Sequence, residues 1–234
     1  MDKYFYLSFR NKKIFVRLSQ PNLRKKYPAI LFIHGASSNL HSFDLLIDQL
    51  KNRFICLTFD HLGCGQSAER FSDLTLKSRF EQAQFMLSYL LKIKNIFIDK
   101  IIIVSTSMGA HIASRLTESG KIGYRILRAP ASYQKDYENV KMTSGWLPWD
   151  KSNKQWPWKP SFALEAISKY NGNLLIVESE KDEIIPGEVI NEYLKQAKKV
   201  KNKKLEVIKE APHRISDKPQ FNRKFLKIVV DFIQ

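Results

Sequence analysis

The chain reads as an α/β protein built on a mostly parallel sheet with helices on both faces. Short β-branched runs alternate with segments of helical periodicity from about residue 29 onward, the pattern of repeated strand–helix–strand units. The run Ile101-Ile102-Ile103-Val104 is continuous, as in a strand buried on both faces. It turns straight into a helical pattern through Ser105-Thr106-Ser107-Met108-Gly109. Small residues two before and two after Ser107 let the strand and helix backbones approach closely, which lifts Ser107 onto a sharp bend.

Taken in order, Tyr4 to Phe9 and Lys13 to Leu18 form an antiparallel hairpin around Arg10-Asn11-Lys12 at the edge of the sheet. Ala29 to Ile33 is a buried strand ending at His34-Gly35-Ala36-Ser37-Ser38. Ser42 to Leu50 is a short helix with Phe43, Leu46, Ile47 and Leu50 on one face. Phe54 to Phe59 is the next strand, and its end, Asp60-His61-Leu62-Gly63-Cys64-Gly65-Gln66-Ser67, lacks the third glycine and the immediate helix of a dinucleotide loop. A helix follows from about Leu76 to Lys92, then the Ile101 strand and a helix to about Glu118. Tyr124 to Leu127, Leu174 to Val177 and Leu205 to Ile208 complete the strands. Helices from about Gly187 to Lys199 and Gln220 to Gln234 follow the last two.

One stretch interrupts the alternation. Residues 132–161 are irregular and hold all four tryptophans, Trp146, Trp149, Trp156 and Trp158, with prolines between them. Loops of that length in a compact domain are usually functional, and aromatics are scarce in disordered segments, so the stretch is expected to form a small cap. The tryptophans are expected to bind substrate, with packing over the domain edge as the alternative. The whole chain, 1–234, is then one domain with 132–161 as an insertion.

Composition narrows the function. Hydrophobic residues make up 44% and aromatics 12% of the 234 residues, enough for a sizeable core, and no apolar run is long enough to span a membrane. No signal-peptide pattern opens the chain, and two cysteines, Cys56 and Cys64, make no disulfide framework, so a cytoplasmic location is expected. The net charge of +16 invites a nucleic-acid partner, yet the basic residues are spread along the chain and no recognition motif accompanies them. Attraction to anionic ligands or surfaces fits better. No His/Cys/Asp set has ligand spacing, so neither metal nor cofactor is expected.

A serine hydroxyl needs a base to take its proton and a carboxylate to orient that base. In open α/β sheets such groups collect beyond the carboxyl ends of strands. Beyond Leu174–Val177 come Glu178-Ser179-Glu180-Lys181-Asp182-Glu183-Ile184-Ile185-Pro186, and beyond Leu205–Ile208 come Lys209-Glu210-Ala211-Pro212-His213. His213 is the candidate base, and Asp182 is the candidate acid with Glu180 as its rival. His34, His41, His61 and His111 read as structural, His111 because a serine lifted onto such a bend points away from the helix that follows it. Met108 N–H, just after Ser107, is one candidate oxyanion donor; Ala36 or Ser37 supplies the second.

These residues resemble the α/β hydrolases, in particular the single-domain serine carboxylesterase and serine aminopeptidase-like branch. The resemblance rests on His34-Gly35-Ala36, Asp60-x-x-Gly63-x-Gly65-x-Ser67, Ser105-x-Ser107-x-Gly109, Asp182-x-x-Ile185-Pro186 and Ala211-Pro212-His213, in the family's order from about residue 28. Phe71-Ser72-Asp73-Leu74-Thr75 is similar to the feruloyl-esterase-like members. The resemblance implies the α/β-hydrolase fold and a Ser107, His213, Asp182 triad. It also favours Asp182 over Glu180 and Ala36 over Ser37, and brings Ile185 into the substrate site. Ser105 stands where the family has glycine. The implied activity is hydrolysis of a small-molecule acyl ester, with thioesterase, acyltransferase or aminopeptidase as rivals. A catalytically silent binding module is the alternative from another class. The cap favours an apolar or aromatic acyl or alcohol group, and the basic surface an anionic one.

Overall fold

Arg10 and Asn11 both adopt positive φ in the computed structural model, 50° and 64°. This two-residue turn closes a hairpin of β1 (Asp2–Phe9) and β2 (Lys12–Ser19). Lys12 therefore belongs to the second strand rather than to the turn. The structure describes residues 1–22, 25–117, 121–142 and 158–233. Further strands are β3 (Tyr27–Ile33), β4 (Ile55–Phe59), β5 (Ile96–Thr106), β6 (Ile122–Arg128), β7 (Asn173–Lys181) and β8 (Asn202–Pro212). They form one eight-stranded sheet in the order β1-β2-β4-β3-β5-β6-β7-β8, with β1–β2 and β2–β4 antiparallel and every other pairing parallel. The expected edge hairpin and parallel sheet are both present.

Alternate residues of the central strands feed two cores. Ala29, Leu31 and Ile33 of β3 and Ile101 and Ile103 of β5 face one side, where α2 (Leu76–Leu91), α3 (Met108–Arg115), α4 (Phe162–Lys169) and α5 (Gly187–Gln196) pack. Ile30, Phe32, Ile102 and Val104 face the other, covered by α1 (Asp44–Leu50) and α6 (Pro219–Ile233). Both faces are thus removed from water, which is why these strands are continuous apolar runs rather than alternating ones.

The structure departs from the sequence reading at several element ends and by one extra helix; β7 (to Lys181) and β8 (from Asn202 to Pro212) are both longer than their apolar runs. β5 starts at Ile96, well before the apolar run that announces it. α3 stops at Arg115 because Leu116 is extended and the buried Arg125 of β6 donates its guanidinium to the Ala113 and Leu116 carbonyls, capping the helix end from a neighbouring strand. Helix α4 is additional. Ser161 caps its N-terminus through the Ala163 N–H, and Ala163, Leu164 and Ile167 form its buried stripe.

Half of the expected cap, residues 143–157, lies outside the described residues, and Trp146, Trp149 and Trp156 with it. Its two described ends run side by side: Ser132 Oγ donates to the Trp158 carbonyl at 2.8 Å and Lys135 N–H to the Pro160 carbonyl at 2.9 Å. The outgoing end is tied to the helices, with Met142 N–H on the Leu74 carbonyl and Glu138 accepting both Nη groups of Arg115.

His34, His61 and His111 are sealed in the interior, and burial is the main force holding each imidazole below its ordinary range, His34 down to about 3. An unfolded chain protonates such rings near pH 6.5. Between about pH 3 and 6.5 the unfolded state therefore binds more protons, so stability is full above that window and falls as the pH drops through it. Each ring contributes on the order of 1.4 kcal/mol per pH unit. The urea midpoint should fall between about pH 7.5 and 5.5. Because neither His111 ring nitrogen has a hydrogen-bond partner among the described residues, His111→Leu should flatten the dependence by about a third. A pH-independent midpoint would contradict this.

Candidate active site

Ser107 sits between the last residue of β5 and the first of α3 with φ 53° and ψ −123°, a backbone conformation that an L-residue adopts only under constraint. The constraint is packing. A Cβ on Gly109 would lie 2.4 Å from both the Ile33 and His34 carbonyl oxygens, so only glycine lets α3 start this close to the end of β3. The Ser107 N–H donates to the Arg128 carbonyl at 3.0 Å, and its own carbonyl accepts from Ala110 and Ala131. The serine at position 105 is accommodated: it is fully buried, and its hydroxyl donates to the Ile126 carbonyl of the adjoining strand at 3.3 Å.

The register of β7 on β8 sets Lys181 opposite Pro212, so the residues that follow, Asp182 and His213, leave the sheet as neighbours. Both Asp182 oxygens lie 2.9 Å from His213 Nδ1, and His213 Nε2 lies 3.0 Å from Ser107 Oγ. An ionised carboxylate only accepts, which puts the proton on Nδ1 and leaves Nε2 to accept from the serine hydroxyl. Asp182 Oδ1 also accepts from the Ile184 and Ile185 N–H groups at 2.9 and 2.8 Å, a turn that fixes the carboxylate and accounts for its place at the head of Asp-x-x-Ile-Pro. Glu180 points elsewhere, accepting from Lys209 Nζ at 2.6 Å and Glu210 N–H at 2.9 Å.

The turn after β3 lies against the serine. Gly35 is so near that an added Cβ would sit 3.3 Å from Ser107 Cβ. The Ala36 carbonyl accepts from Arg79 Nη2 and from Cys64 Sγ, both at 3.3 Å, which fixes the plane of the Ala36–Ser37 peptide beside Ser107. Met108 N–H belongs to the first turn of α3, where helix donors have no intrahelical acceptor. His34 serves the architecture of this turn. Its Nε2 accepts the His61 N–H at 3.0 Å, which assigns the proton to Nδ1, donating to the Gly35 carbonyl.

The Asp60-x-x-Gly63-x-Gly65-x-Ser67 segment is likewise architectural. Asp60 accepts from Leu40 N–H and Gln66 N–H, while Ser67 Oγ donates to the Asp60 carbonyl and accepts from Phe15 N–H. Gly65 has φ 52°, and a side chain there would strike the Asp60 carboxylate. The motif thus ties the β4 end to β2 and to the turn before α1.

A cavity of about 210 Å³ opens beside Ser107, bounded on one side by Gly35 to Ser38 and on the other by His213 to Ser216. Phe43, Ile184 and Phe225 supply apolar walls. Ile184 lines it, whereas Ile185 is buried in the core near the start of α5. Trp158 is partly buried against that same core and is not among the lining residues. Sequence reasoning passed over Arg128, Arg79 and Cys64. They carry no local pattern, since each acts on a backbone carbonyl or side chain distant in sequence.

Among the described residues, no group of three or more His, Cys, Asp or Glu side chains is placed to hold a metal ion, and no helix is long and apolar enough to cross a membrane.

A family model for the alpha/beta hydrolase fold matches residues 28–121. No curated protein matches the sequence. Among solved structures, Est1E from Butyrivibrio proteoclasticus with ferulic acid bound superposes with a TM-score of 0.71 at 19% identity, over 98% of this chain and 99% of that one. The thioesterase domain from the curacin biosynthetic pathway gives 0.69 at 13% identity, over 98% and 99%. A bacterial membrane phospholipase A gives 0.69 at 12% identity, over 99% and 86%. These identities speak to architecture alone. Sheet order, strained serine turn and superposition agree that this chain has the α/β-hydrolase fold.

Proposed function

We propose that the chain is a serine hydrolase that cleaves carboxylic esters through an acyl-enzyme. The observation that supports this reading is the relay of Ser107 Oγ to His213 Nε2 at 3.0 Å and His213 Nδ1 to Asp182 at 2.9 Å, at the apex of a strained strand–helix turn. Ser107 Oγ attacks the acyl carbonyl while His213 Nε2 takes its proton. Asp182 holds the Nδ1 proton and stabilises the imidazolium. Met108 and Ala36 N–H groups bind the oxyanion, the latter in a turn whose next peptide is held by Arg79. His213 returns the proton to the leaving alcohol, and a water activated by the same ring releases the acid. Thioesters and amides could be opened by the same groups, so leaving-group chemistry rests with the cavity. We take residues 132–161 as a cap inserted into one domain. The two cysteines, Cys56 and Cys64, are free and buried, which fits a reducing cytoplasm.

A fluorophosphonate probe should label the wild type, with labelling abolished in Ser107→Ala and kcat/KM on a short acyl ester reduced at least about a thousandfold. An unlabelled wild type would instead favour a silent binding module. Ser105→Gly should not raise activity, because the serine is already accommodated in the strand; it should cost about 0.5–1 kcal/mol in denaturant unfolding. A large gain in kcat would show that Ser105 obstructs the turn.

A further inference from the structure

Arg128 ends β6 beside the serine turn and lines the cavity, yet only 5% of it is exposed. Its Nη2 donates to the His213 carbonyl at 2.8 Å and its Nη1 to Ser179 Oγ at 3.1 Å, both neutral acceptors. Nε is buried with no partner among the described residues. No carboxylate forms an ion pair with this guanidinium among the described residues. The nearby acids are engaged elsewhere: Asp182 accepts from the His213 ring and two backbone N–H groups, and Glu183 accepts from the His213 N–H at 3.0 Å. Burying a guanidinium without a bonded anion is costly, and such a group binds an anion strongly when one is offered.

The rest of the cavity matches that demand. Arg214, on its rim, is 73% exposed in its side chain and meets Asp217 only at 3.9 Å. Hydroxyls of Ser37, Thr106 and Ser216 and the Asn222 amide supply neutral donors, and no aspartate or glutamate lines the space among the described residues. Apolar Phe43, Ile184, Ile215 and Phe225 would enclose the carbon skeleton. Ser107 and Arg128 share one small cavity, and Thr106 and Arg128 are paired neighbours across β5 and β6.

We infer that the substrate carries a carboxylate a few bonds from its scissile carbonyl, recognised by Arg128 within the cavity and Arg214 at its mouth. The inference rests on the hydrolase reading. The carboxylate belongs to either the acyl or the alcohol half, and matched esters separate the two.

The acyl pair is the mono-para-nitrophenyl ester of adipic acid against para-nitrophenyl hexanoate. The alcohol pair is para-acetoxybenzoate against its neutral methyl ester. The wild type should prefer the charged member of one pair by about tenfold or more in kcat/KM, and the pair that responds identifies the half. The ratio within a pair cancels any effect of Arg128 on His213 itself. It should collapse toward unity in Arg128→Gln, survive in part in Arg128→Lys, and fall by a smaller factor in Arg214→Gln, whose exposed site cannot disturb the core. If Arg128→Gln does not fold, the wild-type ratio, its partial survival in Arg128→Lys and its smaller fall in Arg214→Gln decide. Hydrolysis of both pairs without a charged preference, or a preference unchanged in Arg128→Gln, overturns this inference alone. Cleavage of none of these esters, with no fluorophosphonate labelling, overturns the hydrolase reading and the inference with it.

Discussion

The left-handed backbone at Ser107 is the constraint on which the rest of the site depends. Holding a non-glycine residue at φ 53° costs on the order of 1–3 kcal/mol, and nothing local offsets it. The offset comes from packing: β5 lies buried between β3 and β6, α3 presses Gly109 onto the Ile33 and His34 carbonyls, and the Ser107 N–H bonds to Arg128. Relaxing the turn would break contacts in both cores. The sheet and its helices thus keep one hydroxyl presented at the carboxyl end of the strands.

Around that hydroxyl, rigid carbonyls and buried cations do much of the positioning. Arg79, fully buried, holds the Ala36 carbonyl, and Arg128 holds that of His213. Each joins a flank of the cavity to the interior, Arg128 through a forked donor, Nη1 on Ser179 and Nη2 on His213, that lysine could not reproduce. Burial pushes the Arg128 guanidinium down to about 10 against the opposing pull of Asp182 and Glu183, so it remains charged at neutral pH. A site built this way presents positive potential from beneath, independently of the chain's net charge of +16.

Much of the architecture was legible because both of its main signals are local. Apolar runs such as Ala29–Ile33 and Ile101–Val104 locate central strands, and Arg10-Asn11 announces a tight hairpin turn. Ser107, His213 and Asp182 were legible because each stands just past a strand end. Helix α4 escaped because its eight residues follow an irregular stretch rich in tryptophan and proline, where the cap at Ser161 is the main cue. The end of α3 escaped because Arg125, ten residues beyond the helix in sequence and next to it in space, supplies the cap.

What the sequence determined by itself is the alternation that makes an α/β sheet and the residue types stationed at its strand ends, since periodicity and small-residue spacing act within a few residues of chain. Only the tertiary structure decided which side chains meet. The β7–β8 register brings Asp182 to His213, the sheet order brings His213 to Ser107, and burial leaves Arg128 beside the cavity with no carboxylate bonded to it among the described residues. Those outcomes depend on contacts between residues 31 and 106 positions apart, for Asp182–His213 and Ser107–His213, and on desolvation, which exists only once the chain has closed around them.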